Sequence, residues 1–430
     1  AAASLLGTTA LMNAATFFPT SPLIQIGDDT DIFFTGSLSF DFKDNLYSVA
    51  DKKSAALVTF IPGFDLQYAK DSPLSANLSV SRSFLRYNKS EFKDLEEGQD
   101  NIMGSINYQT GGPLTLGVSS SYNESARNDN LAGLGVDNKV LGATLVRQAN
   151  YSHSLNVGYK LTEKINLNIA FINSYNKYLN PVKVQSTVNK AGDDYKDIAY
   201  NTNTLSEINT KSIPININYK TPSEKLTYGF SFKHDVSDYS DAPYFHTQQK
   251  VGPPLGTVDP VARPTGDPKK FTQDFLGITV NGEPTSSGKL HITTRLGYLI
   301  ADTDGSSKKS VSYDLKVAHN LTERFTHEVN FIHDISPSAV GGSLETDTLS
   351  YSISYALSEK LSLSFHAVKS KSTSGSTQVD TLDFNAGASW EYNKYIQFNA
   401  LIDSLDSKLK NNPSSNFKAN SLNLTSTFRY

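Results

Sequence analysis

The chain has 430 residues, a formal net charge of −4, no cysteine, and many aromatic residues, with 23 Phe and 22 Tyr. Charges of both signs are spread along it, which excludes a basic block for nucleic acid and a low-complexity tract typical of disorder. No apolar run approaches the roughly 20 residues that a membrane helix needs. The mean hydropathy of −0.36 still permits a membrane β-barrel, because lipid-facing and lumen-facing residues alternate along its strands.

The first fifteen residues are small and apolar and lead into the segment TFFPTSPLIQIG. This composition is typical of the apolar core of a secretory signal peptide. A retained segment, such as a short helix at the periplasmic mouth, explains it equally well. Both interpretations indicate export, and the absence of cysteine fits an oxidising envelope compartment. The sequence therefore predicts an N-terminal apolar segment, 1–27, followed by a single domain, 28–430.

From Asp31 onward, apolar residues recur with a period of two, which is the pattern of strands with one apolar face. No stretch shows a helical stripe. The pattern predicts eighteen antiparallel strands, near 31–43, 55–68, 73–87, 99–109, 113–125, 141–161, 165–178, 203–220, 225–237, 271–281, 289–301, 310–320, 325–335, 346–357, 361–370, 379–392, 396–404 and 419–430.

The connections between these strands alternate between short turns and longer segments rich in Asp, Asn, Ser, Gly and Pro. A soluble sandwich has no reason to place every long loop on alternate connections. Outer-membrane barrels do so, with short periplasmic turns and long extracellular loops, and with an even number of strands. The sequence therefore predicts an all-β fold, a transmembrane up-and-down β-barrel of about eighteen strands in a bacterial outer membrane.

Tyrosines recur just before the short turns, in phase with the apolar face. They are Tyr68, Tyr108, Tyr159, Tyr219, Tyr355, Tyr392 and Tyr430. Amphipathic rings favour the headgroup level of a bilayer, so these phenols predict an aromatic girdle on the periplasmic side. Ordinary hairpin composition is the alternative explanation. The alternating last strand, which ends in an aromatic residue, resembles the signal that outer-membrane insertion machinery reads.

Two features carry a resemblance to a known family. The opening 26–47, IGDDTDIFFTGSLSFDFKDNLY, precedes a strand that contains Ile61-Pro62-Gly63-Phe64, and the pattern of Tyr, turn, Glu-Lys or Glu-Arg and an apolar residue repeats along the chain. Together they resemble the outer-membrane β-barrel porin family common in Verrucomicrobia-like bacteria. The resemblance implies an outer-membrane porin and brings no catalytic residues with it.

The residues between the apolar positions should line the lumen. Those predicted to line the pore are Arg295, Asp314, Lys316, Glu328, Asp383, Glu391 and Arg429. Registering the hairpin on Thr322 places Lys316 opposite Glu328 and Asp314 opposite Asn330, with Arg295 close by. Strands four to eight contribute mainly Asn, Ser and Gly. A polar wall of mixed sign predicts an aqueous channel.

An eighteen-strand barrel is wide enough to leave an open channel, so an inward-folded loop is expected to narrow it. The proline-rich segment 238–270 is the first candidate and 179–202 the second. The alternative is that both lie over the outer mouth or cover a neighbouring subunit. Arg82 has the parity of the lipid-facing residues, where a mid-bilayer charge would cost about 2–4 kcal/mol. We therefore expect it at the outer rim.

No enzyme or metal site is predicted. There is no Gly-x-Ser-x-Gly elbow, and the eight histidines are not spaced as a zinc pair. The acidic clusters at 28–31, 193–194 and 302–305 have oxygen donors suited to calcium, but the last lacks the closing bidentate carboxylate of a calcium loop. All three are interpreted as solvated turns. No cofactor and no nucleic-acid partner is expected.

Passive diffusion of small hydrophilic solutes is the first functional hypothesis, in a homo-oligomer, with a trimer as the expected assembly and outer-membrane lipid around it. The second is a structural or adhesive surface protein whose barrel anchors the loops. A third is a substrate-specific channel with an aromatic or charged solute track.

Overall fold

The computed structural model describes residues 22–430, except 47, 49–51, 70–71, 110, 128–145, 180–194, 200–206, 240–245, 251–258, 261–269, 304–305, 339–342, 376, 411–412 and 414–415. Most of the predicted N-terminal segment, 1–27, lies outside the described residues. Its interpretation as the remnant of a leader or as a retained segment stays a prediction.

Eighteen long strands form the domain. The first six are β1 (Thr30–Lys43), β2 (Ala55–Tyr68), β3 (Leu74–Tyr87), β4 (Gln99–Gln109), β5 (Leu114–Arg127) and β6 (Val146–Lys160). The next six are β7 (Ile165–Tyr178), β8 (Ile208–Lys220), β9 (Leu226–Tyr239), β10 (Lys270–Gly282), β11 (Leu290–Thr303) and β12 (Ser306–Thr322). The last six are β13 (Phe325–Pro337), β14 (Ser343–Ala356), β15 (Leu361–Ser374), β16 (Thr377–Asn393), β17 (Ile396–Leu409) and β18 (Phe417–Arg429).

Each strand pairs antiparallel with the next along the chain, and β18 returns to pair with β1, from Thr35 opposite Arg429 to Lys43 opposite Ser421. Phe34 N donates to Tyr430 O at 2.6 Å, and Tyr430 N donates to Phe34 O at 2.8 Å. Because the sheet closes on itself, its backbone donors and acceptors are paired without a free edge, as a bilayer requires. The predicted up-and-down barrel of eighteen strands is confirmed.

Close packing at this seam depends on one glycine. A Cβ atom on Gly36 would lie 2.4 Å from Cζ of Phe428, which crosses over it from β18. Phe428 also meets Phe34 at 5.7 Å between ring centroids, and Phe34 meets Phe64 of β2 edge-on at 5.4 Å. Three neighbouring strands are thus joined by aromatic contacts on one face.

A short strand precedes the barrel. Ile24–Ile26 pairs with the start of β1, with Ile24 opposite Ile32. Pairing between β1 and β18 begins only at Thr35, so the short strand covers the part of β1 that β18 does not reach.

Several strands extend further at their outer ends than predicted. The structure gives β12 from Ser306, β15 to Ser374 and β17 to Leu409, where the sequence predicted 310, 370 and 404. These extensions are rich in Ser and Lys and lose the strict apolar alternation that marks a lipid-facing strand. The wall therefore continues beyond the apolar band that the sequence pattern reports.

The predicted pairing of β12 with β13 is wrong by two residues. Lys316 lies opposite Asn330, and Ala318, not Lys316, lies opposite Glu328. Asp314 lies opposite Ile332, not Asn330. The register shifts between Asn320 and Thr322, where a β-bulge adds a residue that a symmetric turn does not anticipate. The faces are nevertheless as predicted, because a shift of two preserves them.

The segments 179–202 and 238–270 are described only in part. Tyr195–Ala199 pairs with His246–Lys250, which pairs in turn with Asp259–Pro260, in a small antiparallel sheet. The two segments therefore contact each other. Their remaining residues, and with them the predicted role of either segment as the constriction, lie largely outside the described residues.

At the outer end of the barrel, β13 separates from β12. Pairing of these strands stops at Tyr313 opposite His333, while β13 stays paired with β14 as far as Pro337 opposite Ser343. Gln273 on the inner face of β10 donates from Nε2 to Ile335 O at 2.8 Å, although β10 and β13 are three strands apart. The described ends of the β13–β14 hairpin, residues 334–338 and 343–346, therefore lie inside the lumen against β10 and β11. We call these ends the inner hairpin.

Candidate functional site

The outer face of the barrel is a continuous apolar surface. Large side chains along its strands are about half exposed, for example Phe64 at 55 %, Ile106 at 53 % and Ile278 at 55 %. A water-soluble protein does not leave so large an apolar surface uncovered. Among the described residues, no helix is long and apolar enough to cross a bilayer. This face is therefore in contact with the acyl chains of lipids.

The predicted tyrosines lie at one end of this apolar surface. All seven, Tyr68, Tyr108, Tyr159, Tyr219, Tyr355, Tyr392 and Tyr430, are exposed on the outer face where strands reach the short turns. Amphipathic rings at both edges of the apolar band are typical of such barrels. The other end carries a second group, in which Tyr122, Tyr151 and Tyr175 contact one another at 4.8 and 5.9 Å between centroids.

The chain is an outer-membrane β-barrel. Closure of the sheet, the apolar outer face and the even number of strands place it in a bacterial outer membrane, with the short turns on the periplasmic side.

The single tryptophan offers a direct test of the outer face. Trp390 is 47 % exposed on that face and stacks on Phe398 at 5.7 Å. We expect lipids with brominated acyl chains to quench its fluorescence strongly and aqueous iodide to quench it weakly. The matched control moves the indole one residue, in the double variant Trp390→Phe, Ser389→Trp, which faces the lumen and should show the opposite pattern. Equal lipid quenching at both positions would contradict the assignment of faces.

Two arginines on the outer face of β3 form ion pairs near the outer rim. Arg82 has the predicted outward parity, and its Nη1 lies 3.3 Å from Oδ1 of Asp100, the second residue of β4. Arg86 lies 2.6 Å from Glu96, whose pKa is lowered by a hydrogen bond from the backbone N–H of Tyr87 and by Arg86. The structure thus places Arg82 near the rim.

One third of the lumen wall is polar and almost without charge. The inward faces of β3–β8 carry Ser, Asn and Gln, including the predicted Asn166, Asn168, Asn216 and Asn218. Neighbouring side chains bond to each other across strands, as between Ser119 Oγ and Ser154 Oγ at 2.7 Å. These groups can replace the hydration of a passing solute without binding an ion strongly.

The rest of the wall carries charges of both signs. Lys316 Nζ lies 2.9 Å from Glu328 Oε2, diagonally across β12 and β13. Arg295 lies directly opposite Asp314, and Arg429 Nε is 3.7 Å from Asp65.

The seven predicted pore residues all lie on the inward face. Arg295, Asp314, Lys316 and Glu328 form one group on β11–β13, and Asp383 lies on β16. Glu391 and Arg429 are near the periplasmic end, far from that group along their strands. Their role in lining a water-filled pore stays a prediction. Among the described residues, no three His, Asp or Glu side chains are grouped as metal ligands.

Sequence reasoning missed apolar clusters that face inward near the outer end. One joins Phe271, Phe275, Leu299, Ala301 and Ile335, all at most 2 % exposed. Others join Leu46, Ala55 and Phe92, and Val379 with Phe417. The signal available in the sequence was the pair Phe271 and Phe275, which interrupts the polar parity of β10.

The inner hairpin is held against the wall by apolar and polar contacts. Ile335 packs into the cluster on β10 and β11, and Glu345 contacts Lys308 of β12. At the point where the strands separate, His333 Nδ1 lies 2.6 Å from Asp347 Oδ1 and His333 Nε2 lies 2.9 Å from Ser310 Oγ. The outer half of the lumen is therefore narrower than the strand number alone implies.

Phe275 lies flat beneath this hairpin. A Cβ atom on either Gly277 or Gly297 would lie 2.5 Å from its ring. The ring can therefore lie against the wall only because both residues are glycine. Arg295 stacks over the other side of the ring, with Cζ 4.8 Å from the centroid. The guanidinium is thereby fixed at the lower edge of the apolar cluster, next to Asp314.

No family model matches the chain, and no curated protein matches it. Solved structures with a similar trace include OccAB3 of Acinetobacter baumannii, at 10 % identity and a TM-score of 0.47, covering 94 % of this chain and 100 % of that one. The siderophore receptor PiuA of A. baumannii matches at 11 % identity and 0.45, covering 93 % and 82 %. The ferric enterobactin receptor PfeA of Pseudomonas aeruginosa matches at 9 % and 0.47, covering 95 % and 81 %. The strand pairing alone defines the fold, independently of these likenesses.

Proposed function

We propose that the protein is a passive diffusion pore for small hydrophilic solutes. The observation that carries this proposal is a closed barrel of eighteen strands whose inward face is polar along most of its length. Barrels of sixteen to eighteen strands are wide enough to leave an aqueous channel, whereas smaller ones fill with their own side chains. The contrast between an apolar outside and an inside of amides, hydroxyls and ions has its simplest explanation in water on the inner side.

The inner hairpin supports a pore of limited width. It occupies part of the lumen at the outer end and leaves the neutral wall of β3–β8 on the opposite side. Solutes would pass between these two surfaces. We expect the pore to pass solutes of the size of ions, sugars and amino acids. The same proposal includes membership of the porin family that the sequence resembles, and assembly as a homotrimer.

A surface anchor is the second candidate, and one observation favours it. The small sheet of Tyr195–Ala199, His246–Lys250 and Asp259–Pro260 shows that the two longest loops have backbone structure of their own. A structured extracellular module could present a binding surface to a partner. In that case the barrel would need no conducting lumen.

Conductance across a planar bilayer tests the proposal. The purified protein should insert as discrete channels with a current proportional to voltage. Insertion without current would favour the anchor.

A further inference from the structure

Five inward-facing bases on β9, β11, β12 and β18 each lie beside a carboxylate. Lys233 Nζ is 2.6 Å from Asp235, Lys316 is 2.9 Å from Glu328 and Arg429 is 3.7 Å from Asp65. Lys308 contacts Glu345, and Arg295 lies opposite Asp314 across β11 and β12. The field of each base in the lumen is therefore largely cancelled by its partner.

Carboxylates on β16 and β17, between these strands in the barrel, have a different environment. Among the described residues, the inward faces of β14–β17 carry no Lys or Arg, and those of β16 and β17 carry acids. Asp383 on β16 has a buried Oδ1 without a hydrogen-bond partner. Asp403 follows on β17, two residues along the same face from the partner of Asp383.

The acidic surface continues across the seam to β1. Asp41 accepts hydrogen bonds from Asn423 Nδ2 and Ser39 Oγ, both of which are neutral donors. Its pairing partner Asn423 is two residues from Ser421, which pairs with Asp403. The nearest inward base along β1, Lys43, is exposed at its outer end. Asp383, Asp403 and Asp41 thus form a diagonal line on the inner wall, which we call the acidic arc.

We propose that the pore passes cations in preference to anions, and that Asp383 and Asp41 determine this preference. The proposal rests on the pore function and deepens it by naming the favoured solute class. Rings of Asp and Glu give cation selectivity in other channels because they raise the local concentration of counter-ions. The wall of β3–β8 carries few charges of either sign.

The test is the reversal potential in planar bilayers under a KCl gradient. The wild-type protein should show a cation-to-anion permeability ratio above one. In the double variant Asp383→Asn, Asp41→Asn, the ratio should fall by about twofold or more near 0.1 M salt, where the Debye length is about 10 Å. It should converge on the wild-type ratio near 1 M salt, where the Debye length is about 3 Å.

The matched control removes the same charge from the other face of the wall. Asp274 lies on the outer face, 2.7 Å from His234, so Asp274→Asn should leave the permeability ratio unchanged. Asp383→Glu, which keeps the charge, should retain the wild-type ratio and controls for local packing. An anion-preferring or unselective wild-type channel would overturn the inference while leaving the pore intact. An unchanged ratio in the double variant would overturn the assignment to Asp383 and Asp41. The absence of any current would contradict the proposed pore function itself.

Discussion

Replacing Ile335 with alanine is expected to increase the single-channel conductance and to make it fluctuate. Ile335 is 1 % exposed and packs against Phe271, Phe275 and Leu299 on the inner wall. Truncating a buried isoleucine to alanine typically costs about 2–5 kcal/mol. Because this side chain joins the inner hairpin to β10 and β11, much of that loss should fall on the docking of the hairpin and not on the barrel. An undocked hairpin would free the outer half of the lumen.

The measurement is the distribution of channel currents at fixed voltage, together with the rate at which proteoliposomes swell in sugars of increasing size. Larger sugars should gain most, because they are the solutes that the hairpin excludes. Phe331→Ala provides the control, since Phe331 lies on the same strand with 43 % of its surface exposed on the outer face. A variant at Ile335 with an unchanged current distribution would show that the hairpin does not limit the pore.

A single arginine should destabilise the barrel when it faces lipid and be tolerated when it faces the lumen. Val118 and Ser119 are adjacent residues in β5, with Val118 half exposed on the outer face and Ser119 bonded to Ser154 inside. An arginine on the lipid face near the bilayer midplane costs about 2–4 kcal/mol. Val118→Arg should lower the free energy of unfolding by this amount, while Ser119→Arg should lose little more than one side-chain hydrogen bond, about 1 kcal/mol.

Denaturant titration of the folded protein in lipid vesicles, read by the heat-dependent shift of the barrel on gels, gives both values. Each variant is compared with the matching alanine at the same position, so that the charge effect is separated from lost packing. Equal destabilisation by the two arginines would contradict the parity of β5 and with it the two-sided wall.

The strands could be predicted from sequence because each one reports its own environment. Along β16, Leu382, Phe384 and Trp390 face lipid while Asp383 and Ser389 face inward, so a period of two is visible within one strand. Alternation of short and long connections then fixes which ends share a side of the membrane. Both signals are local and need no knowledge of distant contacts.

The inner hairpin could not be predicted for the same reason. His333 and Ile335 keep the parity of the lipid-facing Phe331, so their sequence pattern is that of an outer face. Their burial follows from β13 leaving β12 after residue 333, and from contacts with Phe271 and Phe275 some sixty residues earlier. The two-residue error in the register of β12 and β13 has a similar origin, since a bulge near Leu321 has no marker in the alternation.

A diffusion pore requires water throughout the lumen, and conductance measured against salt concentration tests this most directly. Purified protein in a planar bilayer should give discrete current steps that are linear in voltage and grow in proportion to KCl concentration, as expected of an aqueous channel. Heat-unfolded protein in the same bilayer should give none. A correctly folded barrel that inserts, with Trp390 quenched by lipid, and yet passes no current at any salt concentration would contradict the pore.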